Sequence, residues 1–133
     1  ESDTFGMRLD KQDPRRMMVL EVVAGATARH NANAGPEEQV RVNDFLVQAN
    51  ATRDSVAMLA EFASCSRVEC KFKRSVPVSV VFDRGGALTP LGLQLNGPTN
   101  MISVLVQSVG DGAAAKHNEA AKEHERINAG DRI

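Results

Sequence analysis

Histidine and cysteine are the side chains that could bind a metal or take part in catalysis here, and the chain contains few of them. There are three histidines and two cysteines, Cys65 and Cys70. A structural zinc site needs four ligands at close spacings, and no second cysteine pair exists to complete one. Nucleophilic catalysis needs a Ser or Cys beside a base, but the histidines lie far in sequence from both cysteines. The sequence therefore predicts no metal, no cofactor and no enzymatic activity.

The two cysteines also bear on the compartment. Small secreted domains usually carry several disulfides, and two cysteines are too few for such a framework. A reducing compartment is favoured, such as the cytoplasm or an organelle interior like the chloroplast stroma. Cys70 alternates with Val68 and Phe72 in a strand-like run, which predicts a buried, unreactive thiol.

Charge and aromatic content exclude some partners. Lys and Arg total 16 against 17 Asp and Glu, and Phe is the only aromatic type apart from histidine. This balance gives no electrostatic reason to bind nucleic acid, and no apolar run approaches the length of a membrane span. A local basic cluster is either a solvated strand face or a docking surface for an acidic partner or an anionic membrane. Its members are Arg67, Lys71, Lys73, Arg74 and Arg84.

Two of the histidines, His30 and His117, occupy equivalent positions of an internal repeat. Residues 17–46 align without a gap onto 104–133 at an offset of 87, and ten of the 30 aligned pairs are identical. A match of this length indicates duplication. We expect both copies to form a strand followed by a short helix. A paired metal or switch role for the histidines is conceivable, but a surface position at a helix end is the favoured interpretation.

Periodicity locates the remaining elements. Apolar residues at helical spacing predict a helix over 54–64, capped by Asp54 or Thr52. Alternation predicts strands over 67–74 and 76–82, with Pro77 placing the second at a sheet edge or strand start. Further strands are expected at 17–23, at 40–48 and at 102–109, and short helices at 26–33 and 113–122.

The order of these elements resembles that of a PDZ domain, through four short motifs. These are the turns Thr4-Phe5-Gly6-Met7 and Pro90-Leu91-Gly92-Leu93, and the strand starts Asn43-Asp44-Phe45-Leu46 and Gly130-Asp131-Arg132-Ile133. The resemblance implies an α+β fold, a small partly open β-barrel with two helices. One PDZ-like module is expected over 1–75. The N-terminal half of a second is expected over 76–133.

The resemblance also implies a peptide site. Backbone amides of a glycine turn would hold a C-terminal carboxylate, and a peptide would add beside an open strand edge, expected on 17–23. The carboxylate loops are Phe5, Gly6 and Met7 in the first copy and Leu91, Gly92 and Leu93 in the second. The helix residues lining the groove are Thr52, Val56 and Leu59.

Two functions follow from this interpretation, both involving other protein chains. The preferred one is a non-catalytic PDZ-like accessory or scaffold subunit docked in a larger assembly. A peripheral place on a respiratory or photosynthetic membrane complex is part of that expectation. The alternative is a free peptide-recognition module that binds C-terminal carboxylates by β-strand addition.

Overall fold

The chain folds into two compact units, unit 1 (Glu1–Val76) and unit 2 (Pro77–Ile133). The computed structural model describes residues 5–84, 89–97 and 104–133. Three α-helices accompany two antiparallel sheets in these residues, which confirms the predicted α+β class. No helix in the described ranges has the length and apolar character needed to cross a bilayer.

Unit 1 is built on a four-stranded antiparallel sheet. Its elements in chain order are β1 (Met7–Asp10), β2 (Met17–Val22), α1 (Ala26–Asn33), β3 (Phe45–Ala49), α2 (Ser55–Ser64) and β4 (Cys70–Lys73). The strand order β1-β2-β3-β4 places β2 between two neighbours. The expected open edge on 17–23 is therefore wrong: the edges are β1 and β4. Within the described residues neither sheet closes into a barrel, unlike the partly open barrel that was expected.

The core of unit 1 lies between this sheet and α2. Met17, Leu46, Ala49 and Met58 are fully buried. Along β4 the side chains alternate as predicted: Val68, Cys70 and Phe72 are half-buried against the core, whereas the residues between them are exposed. Phe72 is thus part of the core wall but is not fully enclosed.

Helix α2 begins where its sequence predicts. The Asp54 carboxylate accepts the backbone N–H groups of Val56 (3.0 Å) and Ala57 (3.2 Å), so Asp54 is the N-cap. At the other end, the Cys65 N–H donates to the Glu61 carbonyl. Met58 packs fully buried in the core, and Leu59 and Phe62 pack beside it.

Unit 2 repeats the first half of unit 1. It contains β5 (Leu93–Asn96), β6 (Leu105–Val109), α3 (Ala113–Ala120) and a 3₁₀ turn at Glu123–Glu125. Helices α1 and α3 coincide at the repeat offset of 87. The prediction that both copies form a strand and then a short helix is confirmed. Two residues of the strand predicted at 102–109, 102 and 103, lie outside the described residues.

The strand predicted over 76–82 does not form. These residues have no regular structure, and Val76 and Val81 are 81% and 92% exposed. Pro77 removes one backbone donor, and among the described residues no strand pairs with this segment. An alternating pattern indicates a strand only when a neighbouring strand is present to pair with it.

Candidate functional site: the glycine turns and a cavity in unit 1

The two predicted carboxylate loops have the same backbone conformation. Gly6 and Gly92 have φ angles of 72° and 75°, in the region that favours glycine. A Cβ on Gly6 would lie 2.7 Å from the Val23 carbonyl oxygen, and one on Gly92 would lie 2.5 Å from that of Asp111. Glycine is required at both positions because any side chain would collide with the facing backbone.

Each turn directs its carbonyl groups toward its own unit. The carbonyls of Phe5 and Gly6 accept the N–H groups of Thr27 (3.0 Å) and Val23 (2.9 Å). In unit 2 the carbonyls of Leu91 and Gly92 accept equivalent bonds, at 3.0 and 2.7 Å, from residues 114 and 110. Because a trans peptide unit is planar, the inward carbonyls of Phe5 and Gly6 direct the N–H groups of Gly6 and Met7 away from the sheet.

The amides of the first turn fit an anion site in part. Among the described residues, the N–H groups of Phe5 and Gly6 donate no hydrogen bond. The bond from Val23 to Gly6 makes the facing pair Met7↔Val22 a non-hydrogen-bonded pair. The Met7 N–H therefore points to the open edge of β1.

The three predicted groove residues have different surroundings. Thr52 lies in the turn before α2, where its N–H and its hydroxyl both donate to the Ala49 carbonyl, at 2.9 and 2.7 Å. Val56 is 74% exposed. Leu59 is half-buried and packs against the core.

An aromatic contact reaches from α2 to the first turn. The rings of Phe5 and Phe62 are 4.8 Å apart in an edge-to-face arrangement, a favoured geometry for aromatic pairs. The last turn of α2 is thereby fixed to the glycine turn. Phe62 was not singled out from the sequence, although its helical spacing with Leu59 placed it on the same face.

An asparagine side chain that binds the backbone nine residues later, here called the asparagine clasp, explains the equal length of the two segments that follow α1 and α3. The Asn31 side chain donates to the Val40 carbonyl (2.8 Å) and accepts the Val40 N–H (2.9 Å). Asn118 holds Ile127 with equivalent bonds of 2.7 and 2.8 Å. Sequence analysis missed this role, although the paired His-Asn identities in the repeat were its signal.

The two equivalent histidines take part in the same clasp. His30 Nε2 lies 3.0 Å from the Glu38 carbonyl oxygen, and His117 Nε2 lies 3.0 Å from that of Glu125. Each histidine therefore ties a helix to the segment that follows it. The described residues contain no group of three or more His, Cys, Asp or Glu able to hold a metal ion.

An ion pair joins a buried carboxylate to an exposed arginine in unit 1. Arg74 Nε and Nη2 donate to the two carboxylate oxygens of Asp44, each at 3.0 Å, and Nη2 also reaches the Gln39 carbonyl (2.7 Å). Asp44 is almost fully buried. The hydrogen bonds to Asp44 raise the pKa of Arg74. One member of the predicted basic cluster is thus a structural partner of the repeat motif. Its neighbours Lys71 and Lys73 are exposed.

Unit 1 also contains an open cavity of about 730 Å³. Phe5 and Met7 from the first turn, His30 from α1, and Val68, Cys70 and Phe72 from the β4 region are among its lining residues. Burial raises the pKa of the Cys70 thiol to about 11, so this thiol is protonated at neutral pH. Both cysteines are free thiols in the structure. The cavity is largely apolar along β4 and more polar along the segment after α1.

Comparison with known proteins finds no matching family model, no significantly similar curated protein and no significantly similar solved structure.

Proposed function

We propose that this chain is a non-catalytic, PDZ-like docking protein that holds another polypeptide beside the exposed edge of β1. The observation that carries the proposal is the edge itself: β1 ends the sheet next to a glycine turn whose amides at Phe5 and Gly6 donate to no described residue. An exposed strand edge pairs readily with an extended chain.

Fixed docking is favoured over selective recognition of a free C-terminus by the helix side of the groove. The ring of Phe62 packs on Phe5, beside the turn that a terminal side chain would approach. The Thr52 hydroxyl donates to the Ala49 carbonyl, so this hydroxyl does not offer its proton to a peptide at the start of α2. Backbone pairing supplies affinity without side-chain selection when such pockets are absent. Membership of a respiratory or photosynthetic membrane complex stays a prediction.

The alternative function is recognition of C-terminal carboxylates. The amides of the first turn favour it, since those of Phe5 and Gly6 donate to no residue that the structure describes and convergent N–H groups bind an anion without any charged side chain. The exposed Val56 would then be available to contact a peptide side chain.

Peptide binding to the intact chain separates these functions. A library of extended peptides is screened in two forms, with free C-termini and with amidated C-termini. Docking through backbone pairing predicts that amidation changes affinity less than about two-fold, since no carboxylate is held. A loss of about ten-fold or more on amidation would establish carboxylate recognition instead.

A charged substitution on α2 locates the binding edge. Val56→Asp should weaken peptide binding if the peptide lies between β1 and α2, because it places a charge beside the bound chain. Val42→Asp, at another exposed valine, is the matched control. Gly6→Val is unsuitable as a test, because its side chain would collide with the Val23 carbonyl and disturb the fold.

A further inference from the structure

The cavity of unit 1 lies beside the second open edge of the sheet, at β4. The Asn50 N–H donates to the Glu69 carbonyl (2.8 Å), next to the facing pair Ala49↔Cys70. That bond makes Ala49↔Cys70 a non-hydrogen-bonded pair, so the backbone N–H and C=O of Cys70 point away from β3. The side chains of Cys70 and Phe72 line the cavity beside this edge. The site therefore offers both strand pairing and an apolar wall.

The internal repeat indicates what fits beside α1. In unit 2 the ring of Phe82 lies 6.0 Å from that of His117, in an edge-to-face arrangement. His30 is the repeat equivalent of His117 and lines the cavity of unit 1. The place beside His30 thus corresponds to one that Phe82 fills in unit 2.

The segment containing Phe82 is suited to strand pairing. Residues 76–82 alternate in sequence, with Val76, Val78, Val80 and Phe82 sharing one parity. They form no strand in the structure, and Val76 and Val78 are 81% and 47% exposed. Covering an exposed apolar segment of this kind removes its side chains from water and so lowers the free energy.

We propose that two copies of this chain associate by placing residues 76–82 of each along β4 of the other, with Phe82 against His30. In the dimer each Phe82 exchanges its contact with His117 for an equivalent contact with His30 of the other copy. Residues 76–82 and β4 also form backbone hydrogen bonds with each other that neither makes in the single chain. Because the contact is reciprocal, it closes into a two-fold dimer. The cavity is also lined by Phe5 and Met7 of the first turn, whereas the strand pairing takes place at β4, the sheet edge opposite β1.

Pairing within one chain is disfavoured by the short connection. The chain would have to reverse direction over Arg74 and Ser75, whereas tight hairpin turns favour Gly, Asn or Asp. The Arg74 guanidinium is held by Asp44 and by the Gln39 carbonyl. A second copy supplies the same segment without this turn.

The test is the mass of the intact chain by sedimentation equilibrium across a range of concentrations. The expected result is a reversible monomer–dimer equilibrium. Hydrogen exchange should show that amides of 70–73 and 76–82 become protected as the dimer forms. A chain that stays monomeric at every concentration, or protection that does not depend on concentration, would overturn the proposal.

Two matched pairs of variants locate the contact. His30→Ala should weaken dimerisation about five-fold through loss of the ring contact. His117→Ala should strengthen it or leave it unchanged, because it frees Phe82. Both variants lose an equivalent bond to a carbonyl, at 3.0 Å. Equal weakening by the two would contradict the assignment.

The second pair lies in the segment itself. Val78→Asp, on the face shared with Phe82, should weaken dimerisation about ten-fold or more because it would bury a charge. Val81→Asp, at a valine of the opposite parity that is 92% exposed, should have little effect. A dimer indifferent to Val78→Asp would show that another surface forms it.

Discussion

The two units have the same order of local elements but differ in the side chains that pack against them. Both contain a strand, a short helix and an asparagine clasp at equivalent positions. In unit 1, Leu46 is fully buried beside Met58 of α2. Its repeat equivalent in unit 2, Ile133, is 64% exposed. The local conformation is therefore common to the two copies of the repeat, whereas the burial of Leu46 in unit 1 comes from its packing against Met58 of α2.

The largest expected effect comes from this difference in burial. Leu46→Ala should lower the free energy of unfolding of unit 1 by about 2–5 kcal/mol, because it leaves a cavity in the core. Ile133→Ala should cost less than about 1 kcal/mol, since most of that side chain is already in water. Native-state hydrogen exchange, resolved by peptide, measures both in the intact chain. Equal losses would mean that the two positions share the same packing.

The ion pair of unit 1 gives the next effect. Arg74→Ala should destabilise unit 1, because it leaves the buried Asp44 carboxylate without its charged donor. The 38% exposure of the Arg74 side chain keeps the loss moderate. Asp44 and Asp131 both accept a backbone N–H three residues earlier, at 2.8 Å. Asp44→Asn should therefore cost more than Asp131→Asn, and the difference should vanish in the Arg74→Ala background.

The sequence predicted local elements better than their surroundings. Helix α2 with its Asp54 cap and the alternation along β4 followed from spacing, because caps and strand faces depend on near neighbours. The segment 76–82 was wrongly predicted as a strand, since pairing requires a partner that periodicity does not reveal. For the candidate site, the positive φ of Gly6 and Gly92 fits the turns chosen from sequence. The Phe5–Phe62 contact and the cavity depend on tertiary packing and could not be predicted.

Protonation of Asp13 at low pH should destabilise unit 1. We expect this loss to be smaller than that caused by Arg74→Ala. Burial alone would raise the pKa of this carboxyl, but hydrogen bonds from Arg15 and the charges of Arg15 and Arg16 outweigh it and hold the pKa below its ordinary value. A carboxyl with a lowered folded-state pKa stabilises the fold above its unfolded pKa, about 3.9. This contribution is lost as the pH falls through the folded-state pKa. Denaturant unfolding at pH 7 and below pH 4 should show a smaller acid loss in Asp13→Asn, and an unchanged loss would exclude this role.

The smallest effect concerns the residue before the repeat aspartate. Asn43 has a φ of 72°, and its repeat equivalent in unit 2 is Gly130, with a φ of 95°. Asparagine and glycine both adopt this conformation at low cost. Asn43→Gly, which copies unit 2 into unit 1, should therefore change the unfolding free energy by less than about 0.5 kcal/mol. Asn43→Val should cost about 1–2 kcal/mol at the same exposed position, because a β-branched residue is strained there. Both are measured by denaturant unfolding of the intact chain followed by hydrogen exchange of β2 and β3. If Asn43→Gly were as costly as Asn43→Val, the asparagine side chain and not the backbone angle would be what unit 1 requires here.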